Sequence, residues 1–239
     1  MAHKRILVVD DDRDMVQTLC EILEMHGWET VRAYDGQAAV GLAIEHSVDV
    51  VLMDVRMPRL DGVAALKAIK ALRPLTRTVL MTAYASNDLL AKAESEGATR
   101  IVRKPLEIPA LLGVLDQALQ RARSVLVVDD DPNYLRTLCD VLAERGIATL
   151  PAGTLDEALA RLREDAPGVV LLDLKLDDVN PLTSIRAIKS ANPFVLLILY
   201  SGHDAMLADT MAEAPSGLVH AVFSKPLPID ELLEVIATT

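Results

Sequence analysis

The stretch Ile6–Asp12 reads ILVVDDD, and the stretch Val125–Asp131 reads VLVVDDD. Each places three aspartates directly after an apolar run of strand length. Adjacent carboxylates repel one another, and carboxylates at the end of a buried strand are costly unless a cation neutralises them. The repeated phrase therefore indicates a buried strand that ends at an acidic, cation-requiring site, and it indicates two such sites in one chain.

Polar landmarks beyond this phrase recur in the same order in both halves of the 239-residue chain. Three of them recur at a separation of 119 residues and the fourth at 121, and the pairs are Asp10 with Asp129, Asp54 with Asp173, Thr82 with Ser201, and Lys104 with Lys225. Ordered repetition of this kind is the signature of a tandem duplication. We therefore predict two domains, residues 1–122 (unit 1) and residues 123–239 (unit 2).

Apolar runs of strand length alternate with amphipathic helical stretches in each unit. Runs such as VDVVLMD (residues 48–54) lack polar alternation, as expected for a parallel strand that is covered on both faces. Five βα repeats per unit indicate a doubly wound, three-layer α/β domain. The fourth helix of unit 2 is expected to be short or distorted, because Pro215, Gly217 and two inserted residues fall near it. The predicted strands are residues 6–9, 30–33, 48–53, 78–81 and 99–102 in unit 1, and 125–128, 148–150, 169–172, 195–199 and 221–223 in unit 2.

Charge and composition narrow the function classes. The net charge of −11 is concentrated in residues 124–239, which carry −10, whereas residues 1–123 carry −1. An acidic unit 2 repels phosphates, so we expect no direct nucleic-acid binding. The chain has no run of eighteen uncharged apolar residues and no signal segment at its N-terminus. We therefore expect a cytoplasmic protein without a membrane partner.

Carboxylates, hydroxyls and lysines fall at the predicted carboxyl ends of the strands, where open parallel sheets bind their ligands. Clustered carboxylates with open positions suit Mg²⁺. A carboxylate can attack an activated phosphoryl donor to form an aspartyl phosphate, while an ammonium and a hydroxyl bind the phosphoryl oxygens. The candidates are Asp10, Asp11, Asp54, Thr82 and Lys104 in unit 1, and Asp129, Asp130, Asp173, Ser201 and Lys225 in unit 2.

The motifs of unit 1, VVDD, LMDVRMPRLDG, MTA and RKP, resemble those of the receiver domains of bacterial response regulators. The resemblance extends over essentially the whole chain. It implies two flavodoxin-like (βα)5 domains in tandem, each a doubly wound parallel sheet of strand order 2-1-3-4-5. It further implies that a histidine kinase or a histidine phosphotransfer protein phosphorylates Asp54, and that Thr82 and Lys104 bind the phosphoryl oxygens.

The same resemblance implies one Mg²⁺ ion per domain, with Mn²⁺ as the alternative ion. In unit 1 the implied ligands are Asp11 directly, Asp10 through water, Asp54, and the backbone carbonyl of Arg56. The corresponding residues of unit 2 are Asp129, Asp130, Asp173 and the backbone carbonyl of Lys175, with Ser201 and Lys225 as the phosphoryl-binding pair. Pro105 and Pro226, which follow the two lysines, are candidates for cis peptide bonds.

Unit 2 departs from the family pattern in the loop after Asp173, where DVRMPRLDG becomes DLKLDDVNP. This loop shapes the entry to the cleft. The added acids Asp177 and Asp178 would disfavour an anionic donor or alter the metal site. Two interpretations of Asp173 therefore stand, as a second phosphoacceptor or as a purely structural residue.

Both units also depart from the family at the switch position three residues before the lysine. Receivers often carry an aromatic side chain there, whereas this chain has Ile101 and Val222. We therefore expect the signal to pass by repacking of loops and helices. Tyr84 and His203 are expected to border the clefts, and His203 either modulates hydrolysis of a phosphoaspartate or caps the following helix.

These features favour a two-component or phosphorelay response regulator with two receivers and no output domain. It would switch protein–protein contacts or dimerisation, and it would catalyse only its own phosphorylation and dephosphorylation. Expected partners are the phosphodonor protein and either a second copy of the chain or the neighbouring receiver. A second hypothesis is the input half of a larger regulator, such as a tandem-receiver diguanylate cyclase with unit 2 as a structural adaptor. A third, a Mg²⁺-dependent aspartyl phosphohydrolase, is disfavoured because the acidic pair is adjacent and the nucleophile lies on a different strand.

Overall fold

The computed structural model describes residues 4–122, 124–176, 179–215 and 217–238. Its internal contacts divide the chain into two compact units, Met1–Ala122 and Arg123–Thr239. Within these described ranges, no helix is both long enough and apolar enough to cross a membrane.

Both units alternate strands and helices from beginning to end. Unit 1 contains β1 (Lys4–Val9), α1 (Arg13–Met25), β2 (Trp28–Ala33), α2 (Gly36–Glu45), β3 (Val50–Asp54), α3 (Gly62–Leu72), β4 (Arg77–Thr82), α4 (Asn87–Ser95), β5 (Arg100–Arg103) and α5 (Ile108–Ala122). Unit 2 contains β6 (Val125–Val128), α6 (Pro132–Glu144), β7 (Thr149–Ala152), α7 (Leu155–Glu164), β8 (Val169–Asp173), α8 (Pro181–Ala191), β9 (Leu196–Ser201), α9 (Asp204–Glu213), β10 (Ala221–Ser224) and α10 (Ile229–Thr238).

Each unit has one five-stranded parallel sheet. The strand order is β2-β1-β3-β4-β5 in unit 1 and β7-β6-β8-β9-β10 in unit 2, and neighbouring strands in both sheets pair in parallel. Numbered within its own unit, each sheet follows the order 2-1-3-4-5. The predicted fold class and strand order are therefore confirmed.

Both faces of the central strand β1 are buried, which explains why its sequence is apolar without alternation. Ile6 and Val8 belong to one buried cluster, which includes residues of α1 and α5. Leu7 and Val9 belong to a second buried cluster, which includes residues of α2 and α3. Because helices cover both faces of the sheet, successive side chains of β1 all lie in a core.

The third aspartate of each DDD phrase begins a helix. Asp12 is the N-cap of α1, and its carboxylate accepts hydrogen bonds from the backbone N–H groups of Asp14 at 3.0 Å and Met15 at 3.1 Å. Asp131 caps α6 in the same way. A capping carboxylate satisfies N–H groups that have no partner within the helix. The first two aspartates thus lie at the end of the strand, and the third caps the helix that follows.

The prediction that the fourth helix of unit 2 is shortened is wrong. Helix α9 has 10 residues, whereas its counterpart α4 has 9. Pro215 and Gly217 lie beyond Glu213, the last residue of α9, in the connection to β10. The inserted residues therefore lengthen a surface connection, which accepts them at little cost.

Lys70 is a buried cation on α3. The residue is 2% exposed, and its Nζ donates to the backbone oxygen of Pro74 at 3.0 Å. Burial, together with the nearby charge of Arg77, lowers the pKa of Lys70 from 10.5 to about 7. Between these two values the unfolded chain binds more protons than the folded chain, so the contribution of Lys70 makes unit 1 more stable as the pH rises through this window.

Lys70→Met is expected to raise the free energy of unfolding of unit 1 by about 1–3 kcal/mol at pH 6, because an apolar side chain removes the cost of burying an ammonium. The gain should shrink toward pH 10, where Lys70 is already neutral in the folded protein. Urea unfolding followed by the fluorescence of Trp28, the single tryptophan and a buried residue of unit 1, measures it. Lys67→Met, an exposed change on the same helix, is the control. A gain in the free energy of unfolding that is independent of pH would contradict the lowered pKa of Lys70.

Candidate functional site

The carboxyl ends of β1, β3, β4 and β5 bring the predicted residues of unit 1 to one edge of the sheet. Asp10 directly follows β1, Asp54 and Thr82 are the last residues of β3 and β4, and Lys104 directly follows β5. The parallel register carries all four strands to this edge. Sequence positions far apart in the chain thus meet at the place where such folds bind their ligands.

Lys104 is the shared counter-ion of two buried carboxylates. Its Nζ lies 2.6 Å from Asp10 Oδ2 and 2.6 Å from Asp54 Oδ1, and these two side chains are only 2% and 9% exposed. Burial disfavours the charged ammonium, but the hydrogen bonds to Asp10 and Asp54 outweigh it and raise the pKa of Lys104. The positive charge is therefore held in place beside the predicted phosphoacceptor.

Backbone N–H groups hold the remaining carboxylate oxygens of the pair. Asp54 Oδ2 accepts a hydrogen bond from the N–H of Arg56 at 2.6 Å, and Asp10 Oδ1 accepts one from the N–H of Asp12 at 3.0 Å. Asp11 is exposed. It lines, with Arg56, a cleft of about 630 Å³ that extends to α4. The predicted phosphoacceptor thus lies beside a cleft that is open to solvent.

The hydroxyl residues of both sites are buried at their strand ends. The Thr82 hydroxyl donates to the Tyr84 backbone oxygen at 2.9 Å and accepts from the Tyr84 N–H at 3.1 Å. Ser201 Oγ accepts from the His203 N–H at 3.1 Å. Both hydroxyls therefore hold the turn after the strand.

The site of unit 2 repeats this arrangement. Lys225 Nζ lies 2.8 Å from Asp129 Oδ2 and 2.9 Å from Asp173 Oδ2. The second oxygen of Asp173 accepts from the N–H of Lys175 at 3.3 Å, and that of Asp129 accepts from the N–H of Asp131 at 2.9 Å. Burial raises the pKa of Asp173 despite Lys225. Burial also opposes the charge of Lys225, but its bonds to both carboxylates prevail and raise its pKa.

The acidic side chains of unit 2 fit a divalent cation. One oxygen from each of Asp129, Asp130 and Asp173 lies within 4.8 Å of the others, and among the described residues this is the one such group of three. Two of the residues are buried and Asp130 is exposed, so the set offers hard oxygen ligands with room for water, as Mg²⁺ requires. The carboxylates of unit 1 do not converge as closely. The ligand roles of the Arg56 and Lys175 carbonyls stay predictions.

The remaining predicted residues lie on β5 and β10 or in the connections after β5, β9 and β10. The Lys104–Pro105 and Lys225–Pro226 peptide bonds are both cis. At the switch positions, Ile101 is half-buried and Val222 is 41% exposed. His203 occupies the N-cap position of α9, but its side chain makes no capping hydrogen bond, so the capping interpretation of this side chain is not supported.

Basic and aromatic side chains lie in the connections after β3 and β4 of unit 1. The guanidinium of Arg56 lies 5.2 Å from the ring centroid of Tyr84, and Tyr84 is 70% exposed. Arg59 forms an ion pair with the buried Asp35. In unit 2, the added acids at positions 177 and 178 lie outside the described residues, so their predicted effect on the entry stays a prediction.

Two functional candidates were missed by sequence reasoning, and both are tyrosines of unit 2. Tyr200, which precedes Ser201 in β9, is fully buried, and its hydroxyl lies 2.9 Å from Asp129 Oδ2. Tyr134 lies on α6, with its ring centroid 4.3 Å from Lys225 Nζ. A comparison of the two units could have identified both tyrosines, because the corresponding positions of unit 1 hold Met81 and Met15.

A family model for the response regulator receiver domain matches residues 6–116 and 125–237. The chain therefore belongs to the response regulator receiver family of two-component signalling, and it carries two receiver domains in tandem. These matches include the strand ends at which the two sites lie.

Known proteins resemble the chain over one or both units. A response regulator receiver protein of Anaeromyxobacter sp. (strain Fw109-5) is 31% identical over 233 residues, which cover 98% of this chain and 94% of the relative. The transcriptional regulatory protein PdtaR of Mycobacterium tuberculosis is 33% identical over 164 residues, 68% of this chain and 78% of the relative. The crystal structure of a CheY-like receiver domain protein from Methanospirillum hungatei JF-1 aligns with a TM-score of 0.50 at 27% identity, over 51% of this chain and 97% of that chain.

Proposed function

We propose that unit 1 accepts a phosphoryl group on Asp54 from a histidine kinase or a histidine phosphotransfer protein. The observation that carries this proposal is the shared contact of Lys104 with Asp10 and Asp54, at 2.6 Å each. Asp54 directly precedes Val55 and Arg56, which line the open cleft, and the cation is already in place beside its carboxylate. In the transfer, an oxygen of Asp54 forms a bond to phosphorus while the phosphorus–nitrogen bond of the donor breaks, and the leaving imidazole takes up a proton.

Lys104 and Thr82 would then bind the transferred group. The ammonium, now shared between two carboxylates, moves to a terminal phosphoryl oxygen, which carries the charge that Asp54 loses when it becomes an acyl phosphate. The Thr82 hydroxyl releases the backbone oxygen of Tyr84 and donates to a second phosphoryl oxygen. Both movements alter the loops after β4 and β5, which gives the signal a route that needs no aromatic side chain at Ile101.

A divalent cation, Mg²⁺ or Mn²⁺, would neutralise charge on the phosphoryl oxygens when bound. In unit 1 it would be held by Asp11 and Asp54, with Asp10 acting through water and the carbonyl of Arg56 as a further ligand. In unit 2 the corresponding holders are Asp129, Asp130, Asp173 and the carbonyl of Lys175.

Unit 2 is proposed as a second phosphoacceptor, with Asp173 in the role of Asp54. Its support is the matching position of Lys225 between two carboxylates and the convergence of its three acidic side chains. Phosphorylation would act through protein–protein contacts, including contacts with a second copy of the chain. The chain would catalyse only its own phosphorylation and dephosphorylation.

The test is to incubate the protein with acetyl phosphate and Mg²⁺ and to record its intact mass. Wild type is expected to gain two phosphoryl groups, and none when EDTA removes the cation. Asp11→Asn should lose the group on unit 1 alone, and Asp130→Asn the group on unit 2 alone, because each removes an exposed cation ligand. Labelling that persists in EDTA, or that neither variant reduces, would contradict the proposal.

A further inference from the structure

Two tyrosine rings flank Lys225 in unit 2. Tyr134 on α6 and Tyr200 on β9 stack with their centroids 6.1 Å apart and their planes at 27°. Lys225 Nζ lies 4.3 Å from the Tyr134 centroid and 5.1 Å from the Tyr200 centroid. The ammonium thus contacts two aromatic rings as well as the carboxylates of Asp129 and Asp173.

Tyr200 also ties its ring to the acidic cluster. Its hydroxyl donates to Asp129 Oδ2 at 2.9 Å, the oxygen that also accepts from Lys225, and it lies 3.2 Å from the backbone oxygen of Val128. The phenol therefore helps to fix both Asp129 and the lysine that shares its oxygen.

Unit 1 offers a built-in comparison, because the corresponding positions hold Met15 and Met81. Lys104 has the same two carboxylate partners there. An ammonium over an aromatic ring is attracted by the electron density of its face, and the attraction strengthens where water is excluded. The two tyrosine rings thus give Lys225 contacts that the methionines at these positions cannot give to Lys104.

A divalent cation neutralises the same carboxylates that Lys225 neutralises, so the two positive charges compete for Asp129 and Asp173. Any interaction that stabilises the ammonium at this position therefore lowers the affinity of these carboxylates for the divalent cation. The three carboxylates of unit 2 already converge within 4.8 Å. If the interaction of Lys225 with the tyrosine rings were removed, these carboxylates would be positioned to bind a divalent cation.

We propose that Tyr134 and Tyr200 determine the cation affinity of unit 2, by holding Lys225 against Asp129 and Asp173 and thereby opposing divalent cation binding. The inference rests on the proposed function, in which a divalent cation binds these carboxylates. The tyrosines are positioning residues, since they act through Lys225 and Asp129.

The test measures Mn²⁺ binding to the full chain by the electron paramagnetic resonance signal of free Mn²⁺. Asp11→Asn is included throughout, so that unit 1 lacks a cation ligand and the binding reports unit 2. Tyr134→Met, which installs the residue of unit 1, is expected to tighten binding about fivefold. Tyr134→Phe keeps the ring and is expected to leave the affinity within about twofold of the parent. Far-UV circular dichroism checks that both variants are folded.

The opposite change in unit 1 is a second test. In a chain carrying Asp130→Asn, so that unit 2 lacks a ligand, Met15→Tyr is expected to weaken Mn²⁺ binding by unit 1. Measurable binding that is equal in Tyr134→Met, Tyr134→Phe and their parent would overturn the inference and leave the proposed function intact. No Mn²⁺ binding by wild type or any variant would overturn the proposed function, and this inference with it.

Discussion

Asp54→Asn is expected to remove phosphoryl uptake from unit 1, with labelling of that unit lowered roughly a hundredfold or more, because an amide cannot replace the carboxylate as the nucleophile. Unit 2 should still take up one group. The fold should persist, because Lys104 keeps its contact with Asp10 at 2.6 Å. Intact mass after incubation with acetyl phosphate and Mg²⁺ measures the number of groups on each chain.

The duplication supplies the matched control for this prediction. Asp173→Asn should remove the group from unit 2 alone, and the double variant should remain unlabelled. Trp28 fluorescence and circular dichroism establish that each variant is folded. Two groups on the Asp54→Asn chain would mean that the nucleophile of unit 1 is another residue, and the assignment would fail.

Gly62→Ala is expected to destabilise unit 1 by about 3 kcal/mol or more, the upper end of overpacking costs. Gly62 begins α3, and its N–H donates to the backbone oxygen of Val55 at 2.9 Å. An added Cβ would lie 2.3 Å from the backbone oxygen of Asp54 and 3.0 Å from the Cα of Val55. These are backbone atoms that cannot rotate away, so relief requires movement of the strand end that carries the phosphoacceptor.

Gly41→Ala, on the exposed face of α2, is the control for this substitution. A Cβ there meets nothing within 4 Å, so the change should stabilise unit 1 by about 0.5–1 kcal/mol through helix propensity. Urea unfolding followed by Trp28 fluorescence compares the two variants. Equal stability of both variants would show that the start of α3 does not closely approach the end of β3.

Unit 2 has Pro181 at the corresponding position, so the close approach is particular to unit 1.

The fold and the core of each site could be predicted because the relevant patterns are local. Apolar runs without alternation, such as Ile6–Val9, identify strands buried on both faces, and polar residues directly after them must lie at one edge of a parallel sheet. Parallel topology then brings Asp10, Asp54 and Lys104 together without knowledge of any side-chain geometry. The 2.6 Å contacts of Lys104 are the result of that placement.

What sequence reasoning missed depends on contacts between residues far apart in the chain. A tyrosine in the apolar run LLILYS (residues 196–201) is naturally interpreted as a core aromatic residue. Its partner Asp129 lies 71 positions earlier. The burial of Lys70 was also missed, because a lysine on an amphipathic helix normally extends to solvent. The length of α9 was misjudged because Pro215 and Gly217 lie within the connection that follows the helix and do not end the helix itself.

The most direct test of the central claim is to locate the phosphoryl groups on the wild-type chain. Borohydride reduces an aspartyl phosphate to homoserine, which peptide mass spectrometry then assigns to a position. In protein treated with acetyl phosphate and Mg²⁺, we expect homoserine in place of Asp54 and of Asp173, and at no other aspartate. Conversion at Asp11 or any other acidic residue, or at none, would contradict it.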